Sequence, residues 1–138
     1  MTEVRDIAPE EAWHLLRSDK SAQLVDCRTK AEWNFVGVPD LSTIGKKTMF
    51  VEWQSFPNAG PNPNFVAELG AQGLTREQAL VFICRSGGRS MSAAKLAVQN
   101  GYATCHNLAG GFEGHLDSFH HRGQTGGWKH AGLPWTQG

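Results

Sequence analysis

The chain has no excess charge of either sign: 13 Lys and Arg balance 13 Asp and Glu over 138 residues. A nucleic-acid partner is therefore not expected, because neutralising phosphates takes clustered Lys and Arg. No apolar run approaches the ~20 residues that span a bilayer, so no membrane partner is expected either. The opening Met1-Thr2-Glu3-Val4-Arg5-Asp6 has no basic stretch followed by an apolar one and does not read as a secretory signal. Cysteine is scarce, three in all. An odd count without a signal points to free thiols in a reducing cytoplasm. Sixteen glycines and six prolines stay below the ~25–30% that marks low complexity. The length suits one domain, spanning 1–138, that buries about two-thirds of its unfolded surface without a metal or disulfide staple. A monomer is the default for so small and neutral a domain.

What is present alternates between short apolar runs and helical patterns. Gln23-Leu24-Val25-Asp26-Cys27 predicts a strand, and Thr29 with Glu32 has the spacing of a capping box that opens a helix. Residues 48–53 (TMFVEW) predict a second strand. Residues 57–64 (PNAGPNPN) are turn-rich. Asn62-Pro63 reads as an N-cap followed by proline at the first helical position, for a helix running to about Gln72 before Gly73. Ala79 to Ile83 is continuously apolar, the mark of a strand buried on both faces. Arg89 to Asn100 predicts a helix, Thr104 to Leu108 a strand, and Pro9 to Leu16 a helix. Strands alternating with helices imply parallel β-α-β units in an α/β sheet covered on both faces. Such sheets carry their sites at the carboxyl ends of the strands. Nine of the 16 glycines fall from Gly101 onward, where loops and short turns are expected.

The informative stretch is Ile83-Cys84-Arg85-Ser86-Gly87-Gly88-Arg89-Ser90, between the most apolar strand and a helix. Glycines allow the positive φ values that curl successive N–H groups inward into an anion nest. The helix N-terminus and two arginines add positive field. Together they favour negative charge on the Cys84 sulfur, and the thiolate is the reactive nucleophile. A P-loop does not fit, because the four-residue glycine spacing and the Lys-Ser/Thr of that motif are missing. A cysteine after an apolar strand can also be simply a small buried hydrophobe.

These residues resemble the active loop of the single-domain rhodanese-like (sulfurtransferase) family, Cys-Arg-x-Gly-x-Arg. Leu24-Val25-Asp26-Cys27-Arg28 with Glu32-Trp33, Gly37-Val38-Pro39, Gly101-Tyr102, Gly110-Gly111, Trp128 and Gly132-Leu133-Pro134 resemble its other landmarks in order. The resemblance implies a three-layer α/β sandwich, a five-stranded parallel sheet with helices on both faces. It also implies transfer of a sulfane sulfur from thiosulfate or a persulfide to a thiol or cyanide through a Cys84 persulfide. The donor is then a small molecule or a protein, the acceptor a thiol, and no cofactor and no metal are involved. Arg85, Ser86, Gly87, Gly88 and Arg89 would bind the persulfide, with Arg85 meeting an anionic donor and Arg89 serving the loop's geometry as much as the substrate. Asp26 and Arg28 would support the site as hydrogen-bond anchors. A non-catalytic rhodanese-like interaction module is the alternative. Phosphatase or arsenate-reductase chemistry suits less well, since Cys-x4-Arg makes a tighter ring than the Cys-x5-Arg of related phosphatases and holds no proton donor.

The family's histidine after the first glycine is replaced here by Val38. Its tryptophan is displaced to Trp128, which makes 115–127 an insertion containing His115, His120, His121 and Arg122. Adjacent His120 and His121 are poorly spaced for one metal ion, and a polar surface loop is the first expectation. The alternative is that the insertion borders the mouth of the site and biases donor choice. Cys27 and Cys105 read as small buried hydrophobes. Cys27 alternatively resolves an oxidised Cys84 by forming a disulfide.

Overall fold

A computed structural model describes residues 4–54, 61–122 and 126–137. Five strands form a parallel sheet: β1 (Arg5–Ile7), β2 (Gln23–Asp26), β4 (Met49–Phe50), β5 (Ala79–Ile83) and β6 (Thr104–Leu108). Their spatial order is β1-β6-β5-β2-β4, so the continuously apolar β5 lies at the centre. A separate antiparallel pair joins β3 (Val38–Pro39) to β7 (Trp135–Thr136).

The alternation of side chains along the strands divides the core into two layers. Leu80 and Phe82 of β5, and Cys84 just beyond it, pack on one face with Phe65 and Leu69 of α3 (Phe65–Ala71) and Ala93, Ala94 and Ala97 of α4 (Gly88–Gln99). Val81 and Ile83 pack on the other with Ala12 and Leu16 of α1 (Pro9–Ser18), Phe112 and Trp128. The sheet is thus covered on both faces, as anticipated, and every one of these side chains is fully buried. Small residues on α4 let that helix lie close to the sheet, which sets the height of its N-terminus beside Cys84.

The capping box forms as read. Thr29 Oγ1 accepts from the Glu32 N–H, Glu32 Oε1 accepts from the Thr29 N–H, and α2 (Lys30–Phe35) follows. Other boundaries move. The helix expected from Pro63 begins only at Phe65. Asn62 instead closes a turn, its Oδ1 accepting from the Asn64 N–H and its backbone oxygen from the Phe65 N–H. Of residues 57–64, only 61–64 lie within the described region. The strand expected over 48–53 is regular only at Met49–Phe50, although the Val51 and Trp53 N–H groups still reach the Asp26 and Cys27 carbonyls. Strands β1, β3 and β7 were not anticipated. Each is only two or three residues long, too short to carry a period.

Candidate active site

Cys84 stands directly after β5, and α4 begins at Gly88, so the turn between them is tight. What shapes it is a second loop pressed against its back. Phe112 N–H donates to the Cys84 carbonyl at 2.7 Å and Glu113 N–H to the Arg85 carbonyl at 2.9 Å. With these carbonyls engaged outside, the peptide N–H groups that follow turn the other way. Gly87 completes the turn at φ +113°, a conformation L side chains avoid. The approach of the two loops depends on Gly111, where a Cβ would lie 2.5 Å from the Cys84 oxygen.

The inward N–H groups converge on sulfur. Cys84 Sγ accepts from Gly87 N–H at 3.2 Å and from Ser90 N–H at 3.3 Å, and Ser90 Oγ lies 3.2 Å away. Among the described residues, the N–H groups of Arg85, Ser86, Gly88 and Arg89 have no protein acceptor. The site therefore has unused donors around a buried sulfur, at the positive end of a twelve-residue helix. That arrangement favours a second, anionic atom attached to Sγ.

Sequence reasoning gave no role to the side chains behind the sulfur. Ser90 is fully buried, and its Oγ lies 2.5 Å from Asn107 Oδ1. Asn107 on β6 is 3% exposed and donates from Nδ2 to Asp6 Oδ1 at 2.8 Å and to the Gly87 carbonyl at 3.1 Å. No periodicity in Thr104–Leu108 singles Asn107 out; only its burial does, because buried polar groups are the informative ones.

The two loop arginines differ. Arg85 is exposed and, among the described residues, has no carboxylate partner. Arg89 is engaged: Nη1 donates to Glu32 Oε1 at 2.6 Å and Nη2 to Glu32 Oε2 at 2.8 Å. Burial opposes the Glu32 charge, but hydrogen bonds and charge from Arg89 outweigh it and hold the carboxyl below its ordinary range. The same hydrogen bonds raise Arg89.

Asp26 and Arg28 form a fully buried pair. Arg28 Nε and Nη2 reach both carboxylate oxygens, and Nη2 also donates to the Gly37 carbonyl at 2.8 Å. Nη1 finds no acceptor, and the guanidinium lies instead 4.3 Å from the centroid of the Phe112 ring. The pair thus braces the residue whose N–H orients the Cys84 carbonyl.

Cys27 follows β2 in register with Cys84, since Asp26 pairs with Ile83 and the Cys27 N–H continues the ladder to the Ile83 carbonyl. Its Sγ donates to that same carbonyl at 3.3 Å. Burial first, then the charges of Cys84 and Asp26, push the Cys27 thiol well up. A protonated buried thiol is a poor nucleophile, which disfavours the resolving role. Burial likewise pushes Cys105 up to about 12. All three cysteines are free. Trp33 packs edge-on to Phe50 and Trp53 to Phe65.

A cleft of about 460 Å³ beside the loop is lined by Ser86, Gly87, Gly88, Asn107, Asp6 and His115, among others. The start of the 115–127 segment therefore borders the loop. Asp117 Oδ1 accepts from the Phe119 and His121 N–H groups, and Arg122 Nη1 donates to the Gly114 carbonyl. His120 and His121 are exposed. Residues 123–125 of that segment lie outside the described region. Among the described residues no helix is long and apolar enough to cross a membrane.

A family model described as the STR4 middle domain matches residues 6–138. An uncharacterized protein of Rickettsia rickettsii is 36% identical over 132 residues, covering 96% of this chain and 97% of its own. The chloroplastic rhodanese-like domain-containing protein 4 of Arabidopsis thaliana is 27% identical over 93% of this chain, but only 25% of its own length is matched. Among solved structures, Rv0390 from M. tuberculosis superposes with a TM-score of 0.89 at 46% identity, covering 99% of this chain and 100% of that one. The polysulfide-sulfur transferase homodimer of Wolinella succinogenes shares the fold, with a TM-score of 0.65, 22% identity and coverage of 98% and 80%.

Proposed function

This chain belongs to the rhodanese-like family, and on that premise we propose that it is a sulfurtransferase working through a persulfide on Cys84. The donor is thiosulfate or a persulfide and the acceptor a thiol or cyanide. In the first step the Cys84 sulfur attacks the outer sulfur of the donor. The donor's S–S bond breaks, its electron pair leaves with sulfite or a thiolate, and Cys84–S–S⁻ remains. In the second step the acceptor attacks the outer sulfur, and the pair of the breaking bond returns to Sγ. Such covalent relays give ping-pong kinetics.

The observation that carries this reading is a buried sulfur that accepts the Gly87 and Ser90 N–H groups while the N–H groups of Arg85, Ser86, Gly88 and Arg89 in the same loop have no protein acceptor among the described residues. They suit an outer anionic sulfur, and preorganised donors of this kind stabilise charge without reorganising. Arg85, exposed at the rim, would draw in an anionic donor. Arg89, held by Glu32, would fix the start of α4 while lending its charge to the pocket. His115, at the start of the 115–127 segment, would touch the larger donors from the cleft side.

Whole-protein mass spectrometry after incubation with thiosulfate tests the assignment. A gain of one sulfur atom, absent in Cys84→Ala, is expected. Cys84→Ser should fold normally and transfer nothing. No adduct with thiosulfate, polysulfide or a persulfide would instead support the non-catalytic interaction module.

A further inference from the structure

We propose that the Ser90 hydroxyl is a catalytic switch, donating its hydrogen to Cys84 Sγ when that sulfur is charged and to Asn107 Oδ1 when the charge has moved to the outer sulfur. The inference rests on the sulfurtransferase reading and deepens it. A serine hydroxyl has one hydrogen. Ser90 Oγ nevertheless has two acceptors in reach, Sγ at 3.2 Å and Asn107 Oδ1 at 2.5 Å.

Asn107 cannot act as the donor in its contact with Ser90. Its Nδ2 is committed to Asp6 Oδ1 and the Gly87 carbonyl, so Oδ1 must face Ser90. Neither side chain has water to turn to, since Ser90 is fully buried and Asn107 is 3% exposed. The hydroxyl therefore chooses between two fixed acceptors, and the choice takes only a rotation about its C–O bond. Hydrogen bonds to an ionised acceptor are about twice as strong as neutral ones, so the location of the charge makes the choice.

The direction through the cycle follows. While Cys84 Sγ carries the negative charge, Ser90 donates to it. On loading, Sγ enters an S–S bond and becomes neutral, the charge passes to the outer sulfur beneath the loop N–H groups, and the hydroxyl returns to Asn107. On discharge, an acceptor thiolate bonds to the outer sulfur, the S–S bond breaks, and its electron pair goes to Sγ. Ser90 then swings back and stabilises the leaving sulfur. Ser90 touches the reacting atom, and Asn107 is a positioning residue that holds the hydroxyl in the loaded state.

Loading is reversible: Cys84–S⁻ plus thiosulfate gives Cys84–S–S⁻ plus sulfite. The loaded fraction at a fixed thiosulfate-to-sulfite ratio, read by intact mass, is the test. Ser90→Ala removes a donor from the free sulfur and should shift this equilibrium toward the persulfide by about ten-fold while slowing discharge to a thiol by a similar factor. Asn107→Leu removes the acceptor used in the loaded state and should shift the equilibrium the opposite way. A purely structural role would move both variants in the same direction. Asn107→Ala replaces Asn107→Leu if circular dichroism finds the latter unfolded. Shifts of the same sign, or none, overturn the switch. A wild-type chain that takes up no sulfur overturns the sulfurtransferase reading and the switch with it.

Discussion

Arg89 and Glu32 meet through two hydrogen bonds of 2.6 and 2.8 Å, tying the first turn of α4 to the first turn of α2. The side chains are only 21% and 19% exposed, so the pair is shielded enough to matter. It joins the end of the Cys84–Arg89 loop to the helix that follows Asp26 and Arg28.

Glu32→Gln should therefore destabilise the fold by about 1–2 kcal/mol, since a bidentate pair loses its charge and part of its geometry. The effect should depend on pH. The Glu32 carboxyl is held below its ordinary value of 4.5 when folded. Its contribution is fully present above that value and fades as pH falls through the lower folded-state value. Urea denaturation should show the two proteins differing at pH 7 and converging in acid.

Gly111→Ala should damage both fold and transfer. The added Cβ would stand 2.5 Å from the Cys84 oxygen and 2.7 Å from the Arg85 oxygen, at a residue with φ +63°. Neither backbone can yield without opening the sulfur ring. A loss of about 2–4 kcal/mol is expected, with no persulfide recoverable from the fraction that folds. Thermal melts and intact mass read the two effects.

Cys27→Ala should leave transfer within about three-fold of wild type while costing about 1–2 kcal/mol for the cavity. The Cys27 thiol is buried, pushed well up and hydrogen-bonded to the Ile83 carbonyl. Peptide mapping after mild peroxide should find oxidised Cys84 and no Cys27–Cys84 disulfide.

Arg85→Ala should raise KM for thiosulfate about 5–10-fold with kcat little changed, because an exposed charge acts on capture of an anion more than on the bond that breaks. Stability should not move, since nothing among the described residues pairs with Arg85. Steady-state kinetics at two salt concentrations separates these effects.

Much of the framework was legible because periodicity and capping are local. Ala79–Ile83 and Thr104–Leu108 appear as strands over the residues expected, and Thr29 with Glu32 forms its capping box. The Asn62-Pro63 signal misled because Asn62 satisfies its turn through Asn64 and Phe65, which delays the helix by two residues. Strands of two or three residues, such as β3 and β7, owe their existence to a partner far along the chain, and no local pattern announces that partner.

The chain's own order of residues determined where Cys84 stands: after an apolar strand, with glycines to turn the backbone and a helix start immediately beyond. Those are short-range effects of sterics and backbone dipoles. Only the tertiary structure decided which groups meet the sulfur and which serve elsewhere. It paired Arg89 with Glu32, 57 positions away, brought Asn107 of β6 to Ser90 of α4, and set Phe112 and Glu113 to draw the Cys84 and Arg85 carbonyls outward. The reason is that a buried donor or acceptor must find a partner wherever packing supplies one. Burial is a property of the whole fold, so that choice is made only when the layers close.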